Sequence, residues 1–261
     1  MIEYPEGMPC WVDLSSPDLD ASARFYGELL GWQATASEGP IEETGGYRMF
    51  RVDGAAVAGL GPAQGGQPPA WNTYVAVGDV AAAKEKVEAA GGTTVMEPLK
   101  VTDAGTMAIF TDAGEGAFFA VWQADRHRGA QLVNAPGALS MNELATRDVD
   151  GAARFYGAAF GWEFEPLVID GTMQYGFFKL GGRTVAGMLP MGEAFPPEVP
   201  SYWAPYFGIE DLDGGTERAR ALGAQVLAGP TPVPQGRFVA LRDPHGAVFS
   251  IWEGSYDPAP G

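Results

Sequence analysis

The chain predicts an α+β protein: two tandem domains, each of two βαβββ modules that form a curved sheet around a cavity. Three observations carry that prediction. Residues 18–32, DLDASARFYGELLGW, recur at 148–162 as DVDGAARFYGAAFGW, so that position 18 becomes 148. The segment WNTYVAVGDV at 71–80 is answered by YWAPYFGIEDL at 202–212, and the turn from Asp112 to Trp122 by the turn from Asp243 to Trp252. A length of 261 residues suits two domains with a core apiece.

Each copy opens on a short strand, WVDLS at 11–15 or MNELA at 141–145. A helix follows. Ser16-Pro17 reads as its N-cap and first-turn proline, Ala23, Arg24, Tyr26, Leu29 and Leu30 carry the helical stretch, and Gly31 stops it; Thr146 and Gly161 mark the same places in the second copy. The segments GGYRMFRVDGAAVAGL at 45–60 and MQYGFFKLGGRTVAGML at 173–189 alternate apolar positions between glycine turns, which predicts strands. A further strand at 72–77, a helix at 80–90 capped by Asp79 and stopped by Gly91, and strands near 106–111 and 117–122 complete the first copy. Four modules thus occupy about 9–60, 71–122, 140–188 and 201–252. The expected domains are 1–125 and 139–261, joined by a linker at 126–138, with proline- and glycine-rich joints at 61–70 and 191–200. Repeating the unit places helices outside each sheet and a small-molecule cavity on its concave side.

Composition narrows the partners. Thirty-three acidic residues against 16 basic ones give a net charge of −17, which repels phosphate backbones and anionic membranes. No nucleic-acid or membrane partner is expected. Cys10 is the single cysteine and cannot form an internal disulfide; no apolar run nears 18 residues, and MIEYPEGMPCW lacks the layout of a signal peptide. The expectation is a soluble cytoplasmic protein, either a monomer whose two domains form a pseudo-dimer or a homodimer.

The helix signatures SARFYGELLGW and AARFYGAAFGW, the helix starts Asp79-Val80 and Asp211-Leu212, and the closing turn DPHGAVFSIWE at 243–253 resemble the vicinal oxygen chelate superfamily, which includes glyoxalase I, bleomycin-resistance proteins and extradiol dioxygenases. The resemblance covers nearly the whole chain and is closest to tandem-domain actinobacterial members. In metal-dependent relatives the ligands, mostly His, Glu and Gln, come from the first and last strands of each module. Carried over, the first-strand positions fall on Trp11, Asn72, Met141 and Ala204, and the last-strand positions near Gly59, Ala120, Gly187 and Ser250. None is a histidine or a carboxylate. The only histidines are His127 in the linker and His245 in the Asp-Pro-His-Gly turn, and both read as structural or solvent-exposed. The usual nitrogen and carboxylate site has no donors, and an all-oxygen magnesium or calcium site would need clustered carboxylates that the strands do not offer. The expectation is therefore no metal and no cofactor.

What remains for the pockets is a pair of acids and a set of aromatic residues. In WVDLS the apolar Val12 and Leu14 share one face, so Trp11, Asp13 and Ser15 share the other, and the same parity places Glu143 beside Met141 and Ala145. A carboxylate desolvated there has a raised pKa, which suits a general base or a polar anchor, so Asp13 and Glu143 are the candidate catalytic residues. Structural pairing with an arginine or with backbone amides is the competing reading. Trp11, Asn72, Tyr74, Trp122, Tyr206 and Trp252 are the candidate ligand-binding residues, flat walls with a few polar handles, against core packing as the plainer role. Tyr47 and Tyr175 rank below them, and Phe25, Phe155, Trp32 and Trp162 are expected in the core. Cys10 lacks an activating base. No P-loop, dinucleotide fingerprint or nucleophile elbow is present.

Two functions follow from these expectations. The first is metal-independent binding of a planar or secondary-metabolite small molecule, as bleomycin-resistance-type proteins bind theirs. The alternative is a metal-free isomerase, cyclase, ring-opening or hydroxylase-like enzyme that uses Asp13 or Glu143 as acid or base.

Overall fold

The computed structural model describes residues 2–37, 41–64, 66–114, 116–169, 171–193 and 195–260. The first half supplies β1 (Pro9–Ser16), β2 (Gln33–Ala36), β3 (Arg48–Val52), β4 (Ala55–Pro62), β5 (Ala70–Ala76), β6 (Thr93–Val101), β7 (Gly105–Thr111) and β8 (Phe118–Ala124). They form one curled sheet in the order β2-β3-β4-β1-β5-β8-β7-β6. The second half supplies β9 (Leu139–Thr146), β10 (Glu163–Ile169), β11 (Thr172–Leu180), β12 (Arg183–Pro190), β13 (Tyr202–Gly208), β14 (Gln225–Val233), β15 (Gly236–Arg242) and β16 (Val248–Gly254), in the matching order β10-β11-β12-β9-β13-β16-β15-β14. The duplication read from the sequence is thus a duplication of whole sheets.

Four helices of ten or more residues complete the modules: α1 (Leu19–Leu30), α3 (Val80–Ala89), α4 (Val149–Phe160) and α5 (Leu212–Ala221); a single turn, α2 (Ile41–Thr44), interrupts the first module. The stops at Gly31 and Gly161 are left-handed, with φ of 74° and 71°, where residues bearing a Cβ are strained. The caps differ from the expectation. Asp18, not Ser16, caps α1 by accepting from the Ala21 amide, and Asp148, not Thr146, caps α4 by accepting from Gly151. Pro17 keeps the chain extended, so the helix begins two residues later, where a carboxylate faces the free amides. Ser16 Oγ is instead 2.7 Å from Ser22 Oγ and accepts from the Asp18 amide.

The helices lie outside each sheet but inside the molecule. They cover the sheet faces that turn toward the other half, so α1 packs near α5 and α3 near α4. Tyr26 of α1 donates to Asp243 Oδ2 at 3.0 Å and accepts from Trp71 Nε1; Tyr156 of α4 donates to Asp112 Oδ2 at 3.1 Å and accepts from Trp203 Nε1. Each helix tyrosine of one half is therefore tied to the closing turn of the other. Asp243 Oδ1 meanwhile accepts from the amides of His245, Gly246 and Ala247, which explains the aspartate in that turn. Phe25, Phe155, Trp32 and Trp162 are buried here, as expected of core residues.

The segment between the sheets is packed down. Ala130 N donates to Cys10 O, Gln131 N to Ala56 O, and Trp32 Nε1 to Gly137 O. Among the described residues no helix is long and apolar enough to cross a membrane.

Candidate ligand sites on the two sheets

Strand parity decides which residues face away from the helices. Val12 and Leu14 are buried with the helix core, and Asp13 turns to the opposite face, where the register sets it beside Gly59 of β4 and Asn72 of β5. Glu143 repeats the arrangement beside Gly187 and Ala204. Both carboxylates are 7% exposed.

Each acid is the centre of a hydrogen-bonded cluster. Asp13 Oδ2 accepts from Tyr74 Oη at 2.8 Å and Tyr47 Oη at 3.1 Å, while Oδ1 accepts from Asn72 Nδ2 at 2.8 Å. Trp11 Nε1 donates to the Tyr47 oxygen at 3.1 Å, and Asn72 also donates to Ser15 Oγ. Glu143 Oε2 accepts from Tyr175 Oη at 2.7 Å and Tyr206 Oη at 2.9 Å. Ala204 stands where Asn72 stands in the first cluster, so Oε1 lacks the equivalent donor. Burial pushes both carboxyls above their ordinary range, against the pull of Asn72, Tyr74 and Tyr47 on Asp13 and of Tyr175 and Tyr206 on Glu143. Burial, and then the neighbouring carboxylate, holds all four phenols well above the usual tyrosine value.

Glycine at 59 and 187 makes room for the tyrosines. A Cβ at 59 would land on the Tyr47 hydroxyl, 2.5 Å from its Cζ and 2.8 Å from Asp13 Cβ; one at 187 would land on the Tyr175 hydroxyl, 2.7 Å from its Cζ. These are two of the last-strand positions near which the resemblance would place metal ligands, and here a phenol fills the space. Among the described residues no three His, Cys, Asp or Glu side chains group to hold a metal. Three oxygens do converge on each site, but two of them are phenols that burial keeps protonated and that donate to the carboxylate. This donor set does not fit the metal that the resemblance implies.

The remaining candidates fall into two groups. Trp11, Asn72 and Tyr74 join the Asp13 cluster, and Tyr206 joins Glu143. Trp122 and Trp252 lie one strand further out, Trp122 with its ring 6.4 Å from Tyr74 and Trp252 across from Phe238 of β15. Met141 is half-buried where Trp11 has its counterpart. A hollow of about 360 Å³ opens over Ala76 and Trp122 at the end of β5 and β8, walled by Tyr4 and rimmed by Glu3, Glu6, Asp125 and Arg128. That volume is at the lower end of small-molecule sites. Cys10 is buried, donates to the Tyr74 carbonyl, and has its thiol pushed far up by burial, which leaves it unreactive.

Two residues carry more of the first site than their sequence signal suggested. Tyr47, a weak candidate because the glycines around it leave strand parity open, is at the cluster's centre. His127 does not stand in solvent: its imidazole folds back against Trp11, centroid to centroid 4.4 Å and nearly perpendicular, and 5.8 Å from Trp122. Its backbone is held on both sides, the amide donating to Ala104 O and the carbonyl accepting from Trp122 Nε1 at 2.7 Å. No motif or spacing around 127 announces this, because the contact depends on the path of the connecting segment.

Comparison with known proteins agrees with the two-sheet architecture. Residues 10–119 and 138–251 match the model of the Glyoxalase/Bleomycin resistance protein/Dioxygenase superfamily. A Mycobacterium tuberculosis protein named "Putative glyoxylase CFP32" is 41% identical over 264 residues, covering 99% of this chain and 97% of its own. The anthracycline biosynthesis protein DnrV of Streptomyces peucetius is 37% identical over 268 residues, covering 97% and 95%. Among solved structures, the Mn(II)-bound glyoxalase from Novosphingobium aromaticivorans superposes with a TM-score of 0.65 at 19% identity, over 97% of this chain and 85% of that one. The 2,3-dioxygenase LapB from Pseudomonas sp. KL28 gives 0.66 at 16% identity, over 97% and 94%. These two likenesses concern the fold. Matched in both halves by the family model, and in nearly full length by its relatives, the chain belongs to the glyoxalase/bleomycin resistance/dioxygenase superfamily.

Proposed function

We propose that this chain binds a flat organic small molecule of the secondary-metabolite kind on the helix-free faces of its sheets, and that it needs no metal to do so. One observation carries the reading: in both halves a buried carboxylate and two tyrosines close the place where this fold would group metal ligands. Aromatic side chains wall each cluster, Trp122 against Tyr74 in the first half and Phe238 against Tyr206 in the second. Such walls favour planar ligands through their π faces. The similarity to a protein named for anthracycline biosynthesis supports a polycyclic aromatic ligand class for this chain.

The test is titration of the chelator-treated protein with a panel of hydroxylated polycyclic aromatics, 1,8-dihydroxyanthraquinone among them, followed by tryptophan fluorescence and calorimetry. Micromolar-class binding of at least one compound is expected. A panel without a single binder contradicts the reading.

A second reading rests on the phenol-to-carboxylate bonds themselves. A proton delivered to the Tyr47 or Tyr175 oxygen can be passed on, the phenol giving its own proton to Asp13 or Glu143, which is how a buried acid with a raised pKa serves as a general base at one remove. On this reading the chain is a metal-free enzyme of the isomerase, cyclase or ring-opening type. Asp13→Asn together with Glu143→Gln separates the two: turnover of a bound compound would disappear, whereas plain binding would persist.

A further inference from the structure

The hollow of about 360 Å³ at the end of β5 and β8 is a space apart from both carboxylate clusters: none of the residues that line it bonds to Asp13 or Glu143. Ala76, Trp122 and Ala124 line it from the strands, and Tyr4 walls it. Both chain segments at its rim are pinned down. The N-terminal segment is held by Gly7 N donating to Ala76 O and Ala76 N to Met8 O, each at 2.8 Å, and by Tyr4 Oη donating to Ala130 O at 2.8 Å. Around Arg128, the His127 amide donates to Ala104 O, the His127 carbonyl accepts from Trp122 Nε1, and Ala130 N donates to Cys10 O. The next residue has to be glycine, since φ at 129 is 116° and a Cβ there would lie 2.5 Å from Cys10 O. The corresponding place in the second half is filled: a Cβ at Gly208, the counterpart of Ala76, would lie 2.4 Å from Ala135 O and 2.6 Å from Tyr256 Oη.

Charge decides what the hollow can take. Of its acidic rim residues, Glu6 is paired with Lys86 at 3.3 Å and Asp125 with Lys100. Glu3 and Arg128 have no ion-pair or hydrogen-bond partner among the described residues, and they do not pair with each other. A free carboxylate and a free guanidinium thus border one space with an aromatic wall. A ligand of single charge would meet a like charge on one side, whereas a zwitterion meets an opposite charge on both. We propose that the hollow binds an aromatic α-amino acid, its carboxylate on the Arg128 guanidinium, its ammonium on Glu3 and its ring against Tyr4 and Trp122. The guanidinium fork matches a carboxylate, and aromatic side chains suit a ring beside a polar group. Neither carboxylate cluster is needed, so this site and the ligand proposed for the sheet faces stand or fall separately.

The experiment is calorimetric titration of the full chain with L-phenylalanine, beside phenylpropanoate, which lacks the ammonium, and phenethylamine, which lacks the carboxylate. Wild type is compared with Arg128→Gln and Glu3→Gln, and with Ala124→Leu, which takes up part of the space; all three positions are exposed, so the fold tolerates the changes. The expected result is saturable, millimolar-class binding of L-phenylalanine, with either single-charge compound about tenfold weaker. Arg128→Gln should weaken L-phenylalanine about tenfold and phenethylamine not at all, and Glu3→Gln should weaken L-phenylalanine about tenfold and phenylpropanoate not at all. Ala124→Leu should weaken all three. Absence of saturable L-phenylalanine binding, a single-charge compound that binds wild type as tightly, or unchanged L-phenylalanine affinity in Arg128→Gln overturns the assignment.

Discussion

The two halves build the same cluster with different margins. In the first, a short acid, Asp13, receives three side-chain donors, and Trp11 donates to one of its tyrosines; in the second, a longer acid, Glu143, receives two, and Met141 and Ala204 stand where the first half has Trp11 and Asn72. The shared part, a carboxylate with two phenols over a glycine, recurs because the strand register that creates it was duplicated. The unshared part is the polar surroundings of each acid. The first site has an imidazole that burial keeps neutral beside a saturated carboxylate, whereas the second has a carboxylate oxygen with no side-chain amide on it.

Removing the acids should give the largest effects and rank the halves. Asp13→Ala strands three donors and should destabilise the protein by about 3–5 kcal/mol, Glu143→Ala two donors and about 2–4 kcal/mol. Urea unfolding measures both, and a larger loss at 143 would contradict this ranking of the two acids. Gly59→Ala and Gly187→Ala should each cost about 1–3 kcal/mol through overpacking against Tyr47 or Tyr175, with similar values in the two halves. A cost confined to one half would mean that only one tyrosine fills its cleft.

The titration of Asp13 gives a smaller effect with a definite sign. Its folded pKa is raised above the ordinary 3.8, so the native state holds the proton more tightly than the unfolded chain, and its contribution to stability is present below 3.8 and lost as pH rises through the folded value. Asp13→Asn cannot ionise. The stability of that variant relative to wild type should therefore increase from pH 4 toward neutrality; a relative decrease would show that the three donors outweigh burial. The smallest effect is expected from Ala204→Asn, which offers Glu143 the donor it lacks and should change stability by no more than about 1 kcal/mol, in the stabilising direction if the amide reaches Oε1. A pronounced loss would show that the space beside Glu143 is already filled.

Most of the fold was legible in the residues because it was written twice. The repeated FYG and GW positions stand out, and their role is in the seam: Tyr26 and Tyr156 tie each helix to the other half's closing turn, and Trp32 and Trp162 stack on them. The loudest repeat thus encodes how the halves join, not what they bind. Alternation in WVDLS and MNELA placed Asp13 and Glu143 on the right face, since a strand's period of two leaves no choice once Val12 and Leu14 are in the core. Tyr47 was harder to place because glycines at 45 and 46, both with positive φ, let the chain turn into the strand with either parity. His127 was out of reach, since only the packed course of residues 126–138 brings it onto Trp11.

The proposed absence of metal rests on the protonated phenols that close both clusters on a carboxylate. Its most direct test is equilibrium dialysis of the purified chain against Mn²⁺, Fe²⁺, Fe³⁺, Ni²⁺ and Zn²⁺, followed by elemental analysis of wild type and of the Asp13→Asn, Glu143→Gln double variant. The expected result is far less than stoichiometric metal, the same in both proteins. A stoichiometric ion in either half that disappears from the double variant would contradict it.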